Sequence, residues 1–175
     1  MRGMTATARL GYSTGATIPY GWRSVDAGKI GAKVKKKWAI DPVEADNVRL
    51  MFKLARNGDG SSGPMGVKAI AEHVNAKGIR SRSGKLFGTG TVHEILTREA
   101  YTGERHWNVV DKNGRENAEE KVIAIPVPQI IGKVEFDRVQ ELLLSRAPNI
   151  RGPRLSGSPS LFGGFIHCAH CNGAM

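Results

Sequence analysis

The sequence predicts an α+β chain, mainly helical: a helix-turn-helix-like domain with a small β-hairpin and a C-terminal helix, then a truncated zinc ribbon. Three observations predict it. Four segments repeat apolar residues at helical spacing. The stretch 105–128 alternates like two strands around the turn Asp111-Lys112-Asn113-Gly114-Arg115. The end of the chain carries Cys168-Ala169-His170-Cys171. The length of 175 residues suits one domain or two small ones. No run of eighteen apolar residues occurs, and no charged-then-apolar leader opens the chain. Two closely spaced cysteines staple nothing, so a reducing cytoplasm is the expected compartment and a membrane is not an expected partner.

Residues 1–37 hold eight basic groups against one acid, Asp26, and little periodic apolar pattern. They read as an irregular or extended basic arm. The first helix starts at Asp41-Pro42-Val43-Glu44: Asp41 caps it, Pro42 suits its first turn, and Glu44 can reach back as in a capping box. Ala45, Val48, Met51, Phe52 and Ala55 share its inner face, and Gly58 stops it. Gly58 to Pro64 is a linker. The second helix runs from about Gly66 to Lys77, with Val67, Ile70, Ala71 and Val74 inward and Lys68, Glu72 and Asn75 outward. His73 sits on its flank as a surface or packing residue. A glycine-punctuated connector, residues 79–88, leads to a third helix capped near Thr89, whose inner face is Val92, Ile95 and Leu96. A last helix over about 133–145 buries Phe136, Val139, Leu142 and Leu143. The expected divisions are an arm over 1–37, a domain over 38–146, a linker over 147–160 and a partial ribbon over 161–175.

The net charge is +10, and the excess is uneven. Basic zones at 1–37, 76–106 and beyond 146 alternate with two balanced, core-forming stretches. This pattern favours a polyanion, nucleic acid first. Lys33, Lys35, Lys36 and Lys37 are candidate phosphate grips, as are Arg80, Arg82 and Lys85. Three short helices with a basic third element suggest a helix that reads the major groove of duplex DNA. Its candidate reading residues are Glu94 and Thr97, with Thr91, His93 and Arg98 on the shoulders.

Chemistry is sparse. Cys168 and Cys171 form half of a zinc site, and zinc wants four tetrahedral ligands. His167 and His170 are cramped substitutes, so this chain is expected to hold zinc weakly or not at all. Serines lie in Gly/Pro-rich loops without a nearby base, and no phosphate-binding glycine fingerprint occurs. Catalysis and a resident cofactor are not expected of these residues.

Several segments together resemble the large serine recombinases. They are Pro19-Tyr20-Gly21-Trp22, Ile40-Asp41-Pro42-Val43-Glu44-Ala45, the run from Ile70 to Ile79, the run from Thr91 to Gly103, and Leu161 to Met175. The resemblance implies a recombinase DNA-binding domain followed by the first half of a zinc ribbon, with zinc in the complete parent ribbon. It also implies a catalytic serine domain upstream. The expectation is therefore a fragment that recognises an attachment site on double-stranded DNA without cutting it, self-associating only through parent domains. Phe87 stands where the family usually has Trp. The rival expectations are a winged-helix transcription regulator and an RNA- or ribosome-associated basic protein.

Overall fold

The computed structural model describes residues 2–15, 17–30, 33–61, 63–110, 114–146 and 169–170. In chain order it has α1 (Arg2–Arg9), β1 (Trp22–Ile30), β2 (Lys33–Ile40), α2 (Pro42–Asn57), α3 (Val67–Ala76) and α4 (Thr89–Thr97). A 3-10 turn at Glu99–Thr102 leads into β3 (Glu104–Trp107), and another at Glu119–Lys121 precedes β4 (Ile123–Pro126) and α5 (Lys133–Ser145). Strands pair as two separate two-stranded antiparallel sheets, β1–β2 and β3–β4. Residues 1–142 form one compact unit and 143–175 another. In the second, the described residues are the end of α5, closed by the Arg146 amide donating to the Leu143 carbonyl at 3.2 Å, and an exposed turn at 169–170.

The helices stand where apolar spacing puts them. Asp41 is extended and accepts from the Glu44 amide at 3.1 Å, and Pro42 opens α2 without losing a hydrogen bond. The inner faces of α2, α3 and α4 bury Val48, Met51 and Phe52, then Ile70 and Val74, then Val92 and Leu96. In α5, Phe136 and Val139 are buried, whereas Leu142 and Leu143 are half-exposed rather than core.

The basic arm is not irregular. A helix fills residues 2–9, and β1 pairs with β2 from Trp22↔Ile40 to Ile30↔Lys33. The ladder shifts register between Asp26 and Gly28, and Gly28 takes φ 139°, which favours glycine. This hairpin delivers two tryptophans to the core. Trp22 stacks on Tyr101 at 4.7 Å between centroids and 10° between planes, and lies 5.3 Å from Trp38. Phe52 meets Tyr101 edge-on at 6.2 Å and Phe136 at 6.1 Å. Aromatic pairs in such geometries add to their area of burial. The Trp22 indole N–H donates to the Pro128 carbonyl at 2.9 Å, and the Tyr101 hydroxyl donates to the Tyr20 carbonyl at 2.7 Å.

Four smaller expectations are corrected. Glu44 does not close a capping box; its carboxylate accepts instead from the Gly21 amide at 2.8 Å and from Arg82. Asn75 turns inward: it donates to the Phe87 carbonyl and accepts from the Phe87 amide, both at 2.9 Å, because Phe87 must be held against Tyr20. α4 is preceded by an extended Gly88 with no side-chain cap, so Thr89 is its first residue rather than its cap. The second hairpin is shorter than its alternation suggests. β3 ends at Trp107, Val110 makes only an isolated bridge to Glu116, and β4 starts at Ile123. Asn108 at φ 66° breaks the strand after Trp107.

Candidate nucleic-acid interface

α4 is amphipathic, so burying Val92, Ile95 and Leu96 leaves Thr91, His93, Glu94 and Thr97 exposed on its outer side. Their side chains stay local. The Thr97 hydroxyl donates to the His93 carbonyl at 2.8 Å, which leaves its lone pairs and its methyl facing out. Glu94 pairs with Arg98 one turn later, so the helix carries a carboxylate and a guanidinium that neutralise each other. Arg98 is half-buried at the end of the helix. The Gln140 side chain of α5 donates to the Leu96 carbonyl at 2.7 Å, which satisfies the end of α4.

The connector before α4 carries Arg80, Arg82 and Lys85, which take different roles. Arg80 donates to the carbonyls of Asn75 and Ile79, both at 2.9 Å, and stays exposed at the end of α3. Lys85 is exposed. Arg82 turns its donors inward. Its Nε donates to Glu44 Oε1 at 2.9 Å, and its terminal nitrogens reach the carbonyls of Ile18 at 3.1 Å and Trp22 at 2.7 Å. The hydrogen bond to Glu44 holds the Arg82 guanidinium above its usual range. Sequence reasoning missed this role because Glu44 and the carbonyls are remote in the chain. Glu44 falls in a segment carrying the family resemblance, whereas Arg82 falls in none.

Along β2, Lys33, Lys35 and Lys37 fall on one face and Lys36 on the other. Lys33 and Lys36 are exposed. Lys35 donates to Thr7 Oγ1 at 2.8 Å, and Lys37 lies over the Tyr12 ring at 5.1 Å. So the four cations share a strand: Lys33, Lys36 and Lys37 are exposed, Lys35 is half-buried, and Lys35 and Lys37 contact the segment 7–12. Cys168 and Cys171 lie outside the described residues. Among the described residues, no group of three His, Cys, Asp or Glu is placed to hold a metal, and no helix is long and apolar enough to cross a membrane.

The protein family described as Recombinase matches residues 42–146, from the start of α2 to just past α5. The chain belongs to the Recombinase family. This agrees with the resemblance to large serine recombinases carried by the sequence. A Bacillus subtilis (strain 168) protein named "Putative DNA recombinase" is 28% identical over 160 residues, covering 82% of this chain and 31% of that protein. Two solved structures share the fold. One, named "Crystal Structure of a LSR-DNA Complex", superposes with a TM-score of 0.53 at 17% identity, over 99% of this chain and 47% of that one. The other, from work named "Sequence Requirements of the Listeria innocua prophage attP site", gives 0.51 at 18% identity, over 99% of this chain and 62% of that one. The chain thus spans about a third of the length of its curated relative.

Proposed function

We propose that this chain is the part of a serine site-specific recombinase that recognises an attachment site on duplex DNA. One observation carries the reading. In a Recombinase-family domain, α4 keeps its outer side chains exposed while the residues around it are tied down by Arg82, Asn75 and Gln140. A preorganised helix with short polar side chains suits base edges in the major groove. Lys33, Lys36, Arg80 and Lys85 are exposed cations suited to phosphates, which position rather than specify. Two similar folds come from work named for a DNA complex and an attP site, which supports the same reading. Strand exchange through a phosphoserine link is proposed for the whole protein, and zinc for a complete ribbon. The β3–β4 hairpin following α4 also suits a winged-helix regulator, but a regulator without a recombinase parent does not account for the family match.

Two measurements test the reading. With about four phosphates neutralised by these cations, the log–log dependence of DNA affinity on salt has a slope of roughly −4, and the Lys33→Gln/Lys36→Gln variant is shallower by about 2. A slope near zero in the parent chain contradicts the electrostatic footprint, and competition by structured RNA at equal affinity favours the ribosome-type rival. On α4, Thr97→Ala lowers preference for the cognate site by about 1–3 kcal/mol while leaving stability intact, since alanine is the better helix former. Glu94→Ala frees Arg98, so its non-specific affinity rises as its discrimination falls. If both variants discriminate as well as the parent in competition binding, α4 is not the reader.

A further inference from the structure

A cavity of about 490 Å3 opens between the end of α1, strand β2 and the β3–β4 hairpin. Its polar lining is strongly one-sided. Arg9, Lys37 and Arg105 contribute to it, and no carboxylate does. Among the described residues none of the three makes an ion pair. The Arg105 guanidinium stacks over Trp38 at 4.6 Å and donates to Thr14 Oγ1 at 3.1 Å. Lys37 sits over the Tyr12 ring, and Arg9 is exposed in the last turn of α1. Trp38, 8% exposed, lines the same cavity, and its indole nitrogen is buried with no acceptor. Pro126 and Pro128 supply a rigid apolar wall.

Three cations line one cavity with no carboxylate in its wall, and half-burying one of them is costly. Burial pushes the Arg105 guanidinium below its usual value for that reason. An arrangement of this kind is stabilised when an anion enters. Guanidinium forks and an ammonium favour oxygen-rich anions of high charge density, and planar Arg groups match phosphate oxygens two at a time. We infer that this cavity, apart from the outer face of α4, is a binding site for a phosphate or pyrophosphate anion, with Arg9, Lys37 and Arg105 as its donors and the Trp38 indole at its floor. Phosphate of this class comes either from the DNA backbone or from a free phosphorylated compound, and the lining fits both.

The site does not depend on the reading of α4. A chain that binds phosphate here and no DNA keeps the cavity and loses the proposed function. The probe is inorganic pyrophosphate, followed by isothermal titration and by tryptophan fluorescence of the full chain at constant ionic strength. The expected result is saturable binding that weakens at least tenfold in Arg9→Gln/Lys37→Gln, two positions on exposed segments, with unchanged circular dichroism. Arg105→Lys, which keeps the charge and loses the fork, gives an intermediate loss. Lys68→Gln, on α3 and outside the cavity, binds as the parent does. Displacement of pyrophosphate by a short duplex identifies the backbone as the source; simultaneous binding identifies a free phosphate compound. No saturable binding in the parent, or equal binding in the double variant, overturns the site.

Discussion

Trp22→Ala is expected to lower the unfolding free energy by about 4 kcal/mol, near the upper end for a single core truncation. Trp22 is 0% exposed, stacked on Tyr101 and tilted against Trp38. Truncation opens a cavity among three aromatic rings and orphans the Pro128 carbonyl that its indole N–H satisfies. Trp22→Phe keeps a ring to stack and loses the donor, so it should cost about half as much. Urea unfolding with unchanged m-values decides the matter. A loss under about 1 kcal/mol for the alanine variant would mean that the β1–β2 hairpin is an attachment rather than part of the recombinase domain.

Breaking the Glu44–Arg82 pair ranks second. The Glu44 side chain is 13% exposed and accepts from the Gly21 amide as well as Arg82. Arg82→Ala leaves a largely buried carboxylate with one neutral donor and removes a donor from the carbonyls of Ile18 and Trp22. Half the guanidinium faces water, so the cost is expected at about 2–3 kcal/mol rather than at the full value of a buried pair. Glu44→Ala costs a similar amount by orphaning the Gly21 amide. Glu44→Gln and Arg82→Met each remove one charge and retain volume, so the combined variant should cost clearly less than these two single variants added together. A double-mutant cycle in urea measures this, and additivity within about 0.5 kcal/mol refutes the coupling.

The helices were legible because each writes its own signal locally. Asp41-Pro42 marks a start, Gly58 a stop, and the spacing of Val92, Ile95 and Leu96 a face. The first hairpin was hidden. Its alternating face runs Val34, Lys36, Trp38 and Ile40, and the lysine in the middle of that face is enough to erase a period of two in so short a segment. α1 offers Met4, Ala6 and Ala8 with Thr5 and Thr7 between, too little apolar surface to show a stripe. Within the candidate interface, the outer face of α4 followed from its inner face. Arg82 did not, since nothing near residue 82 shows that its partners are Glu44 and the carbonyls of residues 18 and 22. Charge in a connector looks the same in sequence whether it meets solvent or a buried carboxylate.

The tie between Trp22 and Pro128 has a consequence for how the chain is made. A polypeptide leaves the ribosome from its N-terminus, so the hairpin at 22–40 emerges early, while its stacking partner Tyr101 and its acceptor at 128 emerge late. Until then the two strands have only each other, and an isolated two-stranded hairpin is marginal in water. The α2–α4 segment can gather its own apolar faces in the interval, because those contacts are closer in sequence. Synthesis therefore runs in one direction and consolidation in nearly the other. The hairpin waits, two tryptophans uncovered, for a proline carbonyl translated about a hundred residues later.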